Sequence, residues 1–209
     1  RLRDALNADG CIAETFSFSA SSENNSHLQL TPEQQLTYTS CTALSSPKYL
    51  KPGNTYFSSS YPSLEFNQLN FLKEFDIINI HWIQTFLSVE AICYICSLGK
   101  PVIWTLHDMN PFTGGCHYTS GCNNYTTNCF PCKQVHEKFA YYPKNLLISK
   151  AKNIPNDIFV VSPSRWLADC AKKSRVFKNN PVTVISNGID TQKFSPKDPK
   201  TAKRRLGID

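Results

Sequence analysis

Short apolar segments alternate with helical segments from about residue 71 onward, and this alternation constrains the fold more than any other feature. A strand, a helix and a second strand within about thirty residues form a βαβ unit, in which the strands run parallel and the crossover is right-handed. The pattern therefore predicts an α/β fold with a doubly wound parallel sheet. Strands are predicted at residues 76–82, 101–106, 157–161 and 181–185, and helices at residues 88–98, 143–152 and 165–173.

The first third of the chain is less regular. Residues 1–10 have the composition of a helix that Gly10 ends, and residues 11–18 are predicted to form a strand. Residues 20–70 are rich in Ser, Asn, Thr, Pro and Gln and have little periodicity. We therefore predict loops there, with one short helix near Pro32–Tyr38.

The chain is expected to be one domain of a longer protein. Residues 1–190 would form this domain, and the polar, basic residues 191–209 would form an interdomain linker. The first helix has no start, and the basic helical segment at the other end has no stop, so we expect both ends to be cut. No apolar run approaches the roughly 20 residues of a membrane span.

Charge is distributed unevenly along the chain. Residues 1–90 contain 5 Lys or Arg and 9 Asp or Glu, whereas residues 91–209 contain 17 and 7. The basic part suits an anionic partner, such as phosphate groups or an acidic lipid surface, and a solvated basic face is the equal alternative. Nucleic acid is not expected as a partner, because the chain has no basic–aromatic motif and no zinc-finger spacing with paired histidines.

Candidate functional residues follow two neighbouring predicted strands. His81 and Trp82 end the first strand of the alternation, and His107 and Asp108 follow the second. Ligands collect beyond the carboxyl ends of parallel strands, and a histidine there can donate or accept a hydrogen bond near neutral pH. Asp108 is predicted to orient His107. The structural alternatives are a helix cap at Asp108, a satisfied His107 and a core position for Trp82.

Thr113, Gly114 and Gly115 lie further along the same loop. Glycine allows the backbone to approach a neighbour closely or to adopt a positive φ. The pair is therefore a candidate for presenting N–H groups to a phosphate. A plain turn is the alternative interpretation.

Four of the nine cysteines are concentrated in the loop 112–135, with the spacing C-x5-C-x6-C-x2-C. Four thiolates in such a segment can close a tetrahedral structural zinc site, which leaves no open position for a substrate. Free thiols and two disulfides are the alternatives, and His117 and His136 are spare ligands. The odd cysteine total favours a reducing compartment. The candidate zinc ligands are Cys116, Cys122, Cys129 and Cys132.

Four segments in order resemble a known family: INIHW, TLHDMNPFTGGCHY, VSPSRWLADCAKKS and VISNGIDTQKFSPKD. They are similar to segments of bacterial retaining glycosyltransferases of family 4, in the group that builds capsule, colanic-acid-like and other exported polysaccharides. The resemblance covers residues 71–209 well. It implies a GT-B fold, in which two Rossmann-like domains enclose the active site, and makes this chain the N-terminal, acceptor-binding domain.

The resemblance also implies roles for individual residues. His107 would be the catalytic residue that faces the transferred sugar. Ser164 and Arg165 would line the cleft, and Asn187 and Gly188 would lie at the crossover between the domains. The remaining candidate substrate-binding residues are His81, Trp82, Asp108, Thr113, Gly114 and Gly115.

The expected partners are a nucleotide sugar, bound mainly by the missing C-terminal domain, and a saccharide or lipid-linked acceptor. No catalytic cofactor is required, and zinc would be structural. The enzyme is expected to be cytoplasmic, with a peripheral contact to the inner membrane through the basic stretch Lys133–Lys178. The isolated chain is expected to be inactive. The alternative function is a zinc-knuckle α/β interaction module.

Two positions depart from the family pattern. Asn110 stands where an aromatic residue is usual, which is predicted to alter acceptor preference. Ser186 stands where Pro is usual, which is predicted to matter little.

Overall fold

A sheet of four parallel strands forms the centre of the molecule in the computed structural model. The structure describes residues 2–17, 26–27, 50–51, 53, 55–60, 63–84, 87–196 and 198–208. The helices and strands in chain order are α1 Leu2–Ala8, β1 Phe16–Ser17, β2 Ser26–His27, β3 Ile78–Ile80, α2 Val89–Ser97, β4 Val102–Thr105, α3 Tyr141–Asn153, β5 Phe159–Ser162, α4 Arg165–Lys173, β6 Val182–Val184 and α5 Pro199–Leu206. Short 3₁₀ helices lie at Phe66–Glu74, Asn110–Phe112, Asn124–Thr126 and Glu137–Phe139.

The four central strands are ordered β3-β4-β5-β6, and every neighbouring pair is parallel. Ile80 pairs with Trp104, Thr105 with Val161, and Ser162 with Val184, so the carboxyl ends of the strands meet at one edge. The described strands thus follow one another in sequence order. The α/β fold with a parallel sheet, predicted from the alternation, is confirmed.

Helix starts are set by local hydrogen bonds, as the sequence indicates. The Ser88 side chain accepts a hydrogen bond from the Ala91 N–H, and the Ser164 side chain accepts one from the Leu167 N–H. Each bond satisfies a backbone donor that the first helical turn leaves without a partner. Ser88 and Ser164 are therefore the N-caps of α2 and α4.

The core lies between the sheet and its helices. Helix α2 buries Val89, Ala91, Ile92 and Ile95, which recur at helical spacing on one face. Full burial of each large aliphatic side chain contributes about 1.5–3 kcal/mol. Trp104 of β4 is completely buried and meets Phe177 edge to face at 5.6 Å, so an aromatic pair anchors the middle of the sheet.

Two predictions about the ends need correction. Among the described residues 11–17, only Phe16 and Ser17 form a strand, and this strand pairs with β2 in a separate two-stranded sheet. The basic helical segment predicted at the other end is α5, whose first turn Asp198 caps by accepting hydrogen bonds from the Lys200 and Thr201 N–H groups, and Gly207 with a φ of +65° ends it, so it does have a stop. The helix predicted near Pro32–Tyr38 lies outside the described residues.

Candidate functional site

Two histidines from neighbouring strands meet at the carboxyl edge of the sheet. His81 directly follows β3, and His107 follows β4 by two residues. The parallel register between Ile80 and Trp104 brings the two rings together, with 3.0 Å between His81 Nδ1 and His107 Nε2. The structure therefore unites two candidate residues that are 26 positions apart in the sequence.

The contact between these rings has a defined electrostatic consequence. One nitrogen must donate its hydrogen and the other must accept it, so the bond requires at least one neutral ring. Burial lowers the pKa of His81, and the nearby charge of His107 lowers it further. His81 is thus favoured in the neutral form. The bond leaves His107 Nδ1 and His81 Nε2 as the ring nitrogens that can meet a ligand.

The prediction that Asp108 orients His107 is wrong. Its Oδ2 accepts a hydrogen bond from His117 Nδ1 at 2.6 Å, and its Oδ1 accepts one from the Asn110 N–H at 2.8 Å. His107 and Asp108 are consecutive but lie in different environments, because His107 is exposed and Asp108 is buried. Whether Asp108 contacts a substrate is untested, and its burial does not favour such a contact.

The Asp108–His117 pair continues to a serine. His117 Nε2 lies 2.8 Å from Ser58 Oγ, which also accepts a hydrogen bond from Asn110 Nδ2 at 3.2 Å. This Asp–His–Ser order matches that of a hydrolase triad. However, Asp108, His117 and Ser58 are only 4%, 2% and 5% exposed, so no substrate can reach the hydroxyl. The three side chains form a buried structural network.

Asn110 belongs to this network, and its influence on acceptor preference stays a prediction. Its side chain donates hydrogen bonds to the Gly115 carbonyl and to Ser58 Oγ, and it is buried. Its contacts are thus with the loop itself. Ser58 was missed because it lies in an irregular segment in which no spacing or motif distinguishes one serine from another.

Lys150 of helix α3 binds the loop that follows β4. Its Nζ donates hydrogen bonds to the Asn110 carbonyl at 2.6 Å and to the Thr113 carbonyl at 3.0 Å. Burial lowers the pKa of Lys150 to about 8, although the nearby Cys116, Cys129 and Asp108 act in the opposite direction. The sequence indicated α3 but not this role, because the lysine looked like any other basic helical residue.

Thr113, Gly114 and Gly115 are buried, and their observed contacts are with the protein. A Cβ on Gly114 would lie 2.3 Å from the carbonyl oxygen of Pro143. Gly115 has a φ of +130°, and a Cβ there would lie 2.5 Å from the Phe57 ring. Close packing thus explains both glycines and favours the plain turn. A direct contact with phosphate or sugar remains an untested prediction.

The four cysteines of the loop 112–135 are free thiols in the structure. Burial raises the pKa of Cys116 to about 12 and that of Cys129 to about 11, so both are protonated at neutral pH. Among the described residues, no group of three or more Cys, His, Asp or Glu has an arrangement that could hold a metal ion. Cys122 and Cys132, the other two predicted ligands, are half-buried. The zinc site remains a prediction from the spacing.

Two further candidate segments reach the same edge of the sheet. Ser164 and Arg165 begin α4 directly beyond β5, and Arg165 is exposed. Asn187 and Gly188 follow β6 and are also exposed. The carboxyl edge therefore gathers Ser164, Arg165, Asn187 and Gly188 with the His81–His107 pair, although their contacts with a ligand are untested. Trp82 is also exposed there, which excludes its interpretation as a core residue.

A parallel α/β sheet with polar residues at its carboxyl edge defines the general class, and comparison with known proteins gives the family. The family model described as Glycosyltransferase Family 4 matches residues 29–193. The chain belongs to this family. Its four-stranded parallel sheet agrees with a Rossmann-like N-terminal half of a GT-B enzyme.

One curated relative is the "Putative colanic acid biosynthesis glycosyl transferase WcaC" of Escherichia coli (strain K12). It is 26% identical over 129 residues, which cover 56% of this chain and 30% of the relative. The chain therefore aligns with less than a third of that protein's length. No solved structure matches the chain.

Proposed function

We propose that this chain is the acceptor-binding domain of an enzyme that transfers a sugar, with retention, from a nucleotide sugar to a saccharide or lipid-linked saccharide in cell-surface polysaccharide synthesis. The observation that carries the proposal is the His81–His107 pair at the carboxyl edge of the sheet, in a chain of glycosyltransferase family 4. The name of the relative, which refers to colanic acid biosynthesis, supports the choice of pathway class.

His107 is the residue that meets the transferred sugar in this proposal. The bond to His81 occupies His107 Nε2 and directs Nδ1 to the ligand. A sugar hydroxyl that shares a hydrogen with Nδ1 would be held and polarised as the bond to the diphosphate breaks. His81 acts through His107 and is a positioning residue.

The leaving diphosphate carries the charge that the enzyme must stabilise. Arg165, exposed at the start of α4, is the basic candidate of this chain at the sheet edge. The resemblance assigns most donor contacts to a C-terminal domain. We therefore expect the 209-residue chain alone to show no turnover and negligible binding of a nucleotide sugar.

The proposed location is the cytoplasmic face of the cell membrane. The segment Lys133–Lys178 contains ten Lys or Arg and three Asp or Glu, which suits a peripheral contact with acidic lipids. No helix within the described residues combines the length and apolarity that crossing a bilayer requires. The alternative of a zinc-knuckle interaction module has no observation in its favour among the described thiols.

The experiment that tests the proposal measures sugar transfer by the full-length protein from a panel of UDP- and GDP-linked sugars. His107→Ala is expected to reduce turnover by about 10²-fold or more, because it removes a positioned hydrogen-bonding group. His136→Ala is the matched control, since His136 lies outside the sheet edge, at the start of the 3₁₀ helix Glu137–Phe139. Equal turnover by His107→Ala and the wild type would refute the role of His107.

A further inference from the structure

We propose that four exposed aromatic side chains, Tyr56, Trp82, Tyr118 and Trp166, form a platform that binds an acceptor saccharide of more than one sugar ring. The inference rests on the proposed function and narrows its acceptor: the ligand is an oligosaccharide chain, whether free or attached to a lipid. We call these four residues the aromatic platform.

The platform surrounds a buried ring. His117 lies 4.3 Å from the Tyr56 ring and 5.1 Å from the Trp82 ring, measured between ring centroids. Tyr118 is the next residue in the chain, and its ring stacks with Trp166 at 6.3 Å and an interplanar angle of 20°. The rings thus form two pairs, Tyr56 with Trp82 against His117 and Tyr118 with Trp166, which the consecutive residues His117 and Tyr118 link.

The platform is exposed even though its members are large and aromatic. Tyr56, Trp82, Tyr118 and Trp166 are 60%, 51%, 50% and 55% exposed. Single exposed apolar residues are ordinary, but a contiguous group indicates a binding surface. The four exposed rings therefore indicate a ligand-binding surface near the His81–His107 pair.

The backbone under the platform is held in place before any ligand binds. The Tyr56 carbonyl accepts a hydrogen bond from the His117 N–H at 2.9 Å. The Tyr118 carbonyl accepts bonds from Thr55 Oγ1 at 2.5 Å and from Gln134 Nε2 at 3.0 Å. A preorganised surface loses little conformational entropy on binding. This gives the buried network below the platform a role in recognition.

The chemistry of the four side chains favours a saccharide over a lipid tail. Each has an apolar ring face and also a polar donor, the tyrosine O–H or the tryptophan N–H. A sugar ring likewise presents apolar C–H faces edged by hydroxyls. The exposed apolar residues beyond β6, such as Ile185 and Ile189, include aliphatic side chains without any polar group. The two surfaces therefore suit different partners.

The order of the rings gives the acceptor a direction. Trp82 is adjacent to His81 and thus nearest to the proposed transfer site, whereas Trp166 lies beyond Tyr118. The sugar that receives the transferred group is expected on Trp82. The sugars added before it are expected to extend over Tyr118 and Trp166, so a longer acceptor makes more contacts.

Saturation-transfer difference NMR on the 209-residue chain tests the inference with glucose, cellobiose, maltotriose and lactose as probes. We expect the di- and trisaccharides to bind more tightly than glucose. Trp166→Ala and Trp82→Ala are each expected to weaken the binding of the best probe about tenfold, since each removes a stacking ring. Trp166→Phe, which keeps an aromatic face, is expected to recover most of the loss.

Phe159→Ala is the matched control, because Phe159 is 55% exposed but lies at the amino end of β5, at the opposite edge of the sheet. Near-UV circular dichroism checks that each variant keeps its fold. Absence of binding of all four probes, or equal binding by the wild type and both tryptophan variants, overturns the inference. The His107→Ala turnover test is separate: if His107→Ala loses transfer while Trp82→Ala and Trp166→Ala bind the probes as the wild type does, the platform is refuted and the proposed function stands.

Discussion

His107 and Asp108 are neighbours in the chain, but they belong to two regions with opposite properties. His107 is exposed and bonds with His81 at the edge of the sheet, where a ligand can reach both rings. Asp108 is buried and bonds with His117, which continues to Ser58. The first region can take part in chemistry, whereas the second supports the loop. The difference shows that a polar pair after a strand need not form one functional unit.

This comparison makes opposite predictions for substitutions in the two regions. Changes in the buried network should affect the free energy of unfolding strongly. Changes in the exposed pair should affect turnover and leave stability nearly unchanged.

Asp108→Ala is expected to cost about 3–5 kcal/mol of stability, because it removes the buried partner of His117 and leaves a polar ring without its acceptor. Urea unfolding of the chain measures the change. Asp157→Ala is the control, since Asp157 is an exposed aspartate and should change stability by less than about 0.5 kcal/mol. Similar unfolding midpoints for the two variants would contradict the buried network.

Lys150→Met is expected to cost about 1–3 kcal/mol at pH 7, because two buried carbonyls lose their donor. The folded pKa of Lys150, about 8, is below its usual 10.5, so between these values the unfolded chain binds more protons. The contribution of Lys150 to stability therefore rises with pH across this window.

The difference in unfolding free energy between the wild type and Lys150→Met should thus increase from pH 8 to pH 10. Comparing the two proteins at each pH reduces the contribution of other titrating groups, such as Cys116 and Cys129. A difference that stays constant or falls over this range would refute the buried, desolvated lysine. Lys152→Met, at an exposed position on the same helix, serves as the control.

His81→Ala is expected to reduce turnover by the full-length protein about tenfold, because His107 loses the partner that fixes its ring. The melting temperature should change little, since both rings are exposed. The pH profile gives a more specific test. The pKa of His81 is lowered in the folded state, so His81 should stay neutral in the wild type at a pH somewhat below the usual histidine value. An unchanged profile in His81→Ala would argue against the positioning role.

The cysteine loop gives the smallest expected effect and a direct test of the zinc prediction. From the described arrangement we expect little zinc in the purified chain and faster thiol modification at Cys122 and Cys132 than at the buried Cys116 and Cys129. The prediction from the spacing would instead be supported by one zinc per chain that protects all four thiols from modification. This zinc should be lost in Cys129→Ser.

Much of the fold was predictable because its causes are local. The strands at Ile78–Ile80 and Val102–Thr105 are short apolar segments, and the helix between them begins at a serine cap. Such features act through neighbours a few residues apart, so they can be recognised in the sequence. The β1 strand was overestimated, and α5 was recognised as a helical segment but its end at Gly207 was missed.

The site was predictable only in outline. The positions of His81 and His107 at strand ends indicated that the two residues share the carboxyl edge of the sheet, where their rings meet. The partner of Asp108, the tether from Lys150 and the stacking of Trp166 on Tyr118 were not predictable. Each joins residues from different elements, and sequence spacing contains no information about their relative placement.

The amino-acid sequence by itself determined the parallel α/β fold, the caps of α2 and α4, and the family to which the chain belongs. The tertiary structure alone decided which polar residues are exposed at the edge of the sheet and which support the loop. The physical reason is that a hydrogen bond depends on where the two groups lie in space. Ser58 and His117, which are 59 residues apart, lie 2.8 Å from each other, while the adjacent His107 and Asp108 serve different partners.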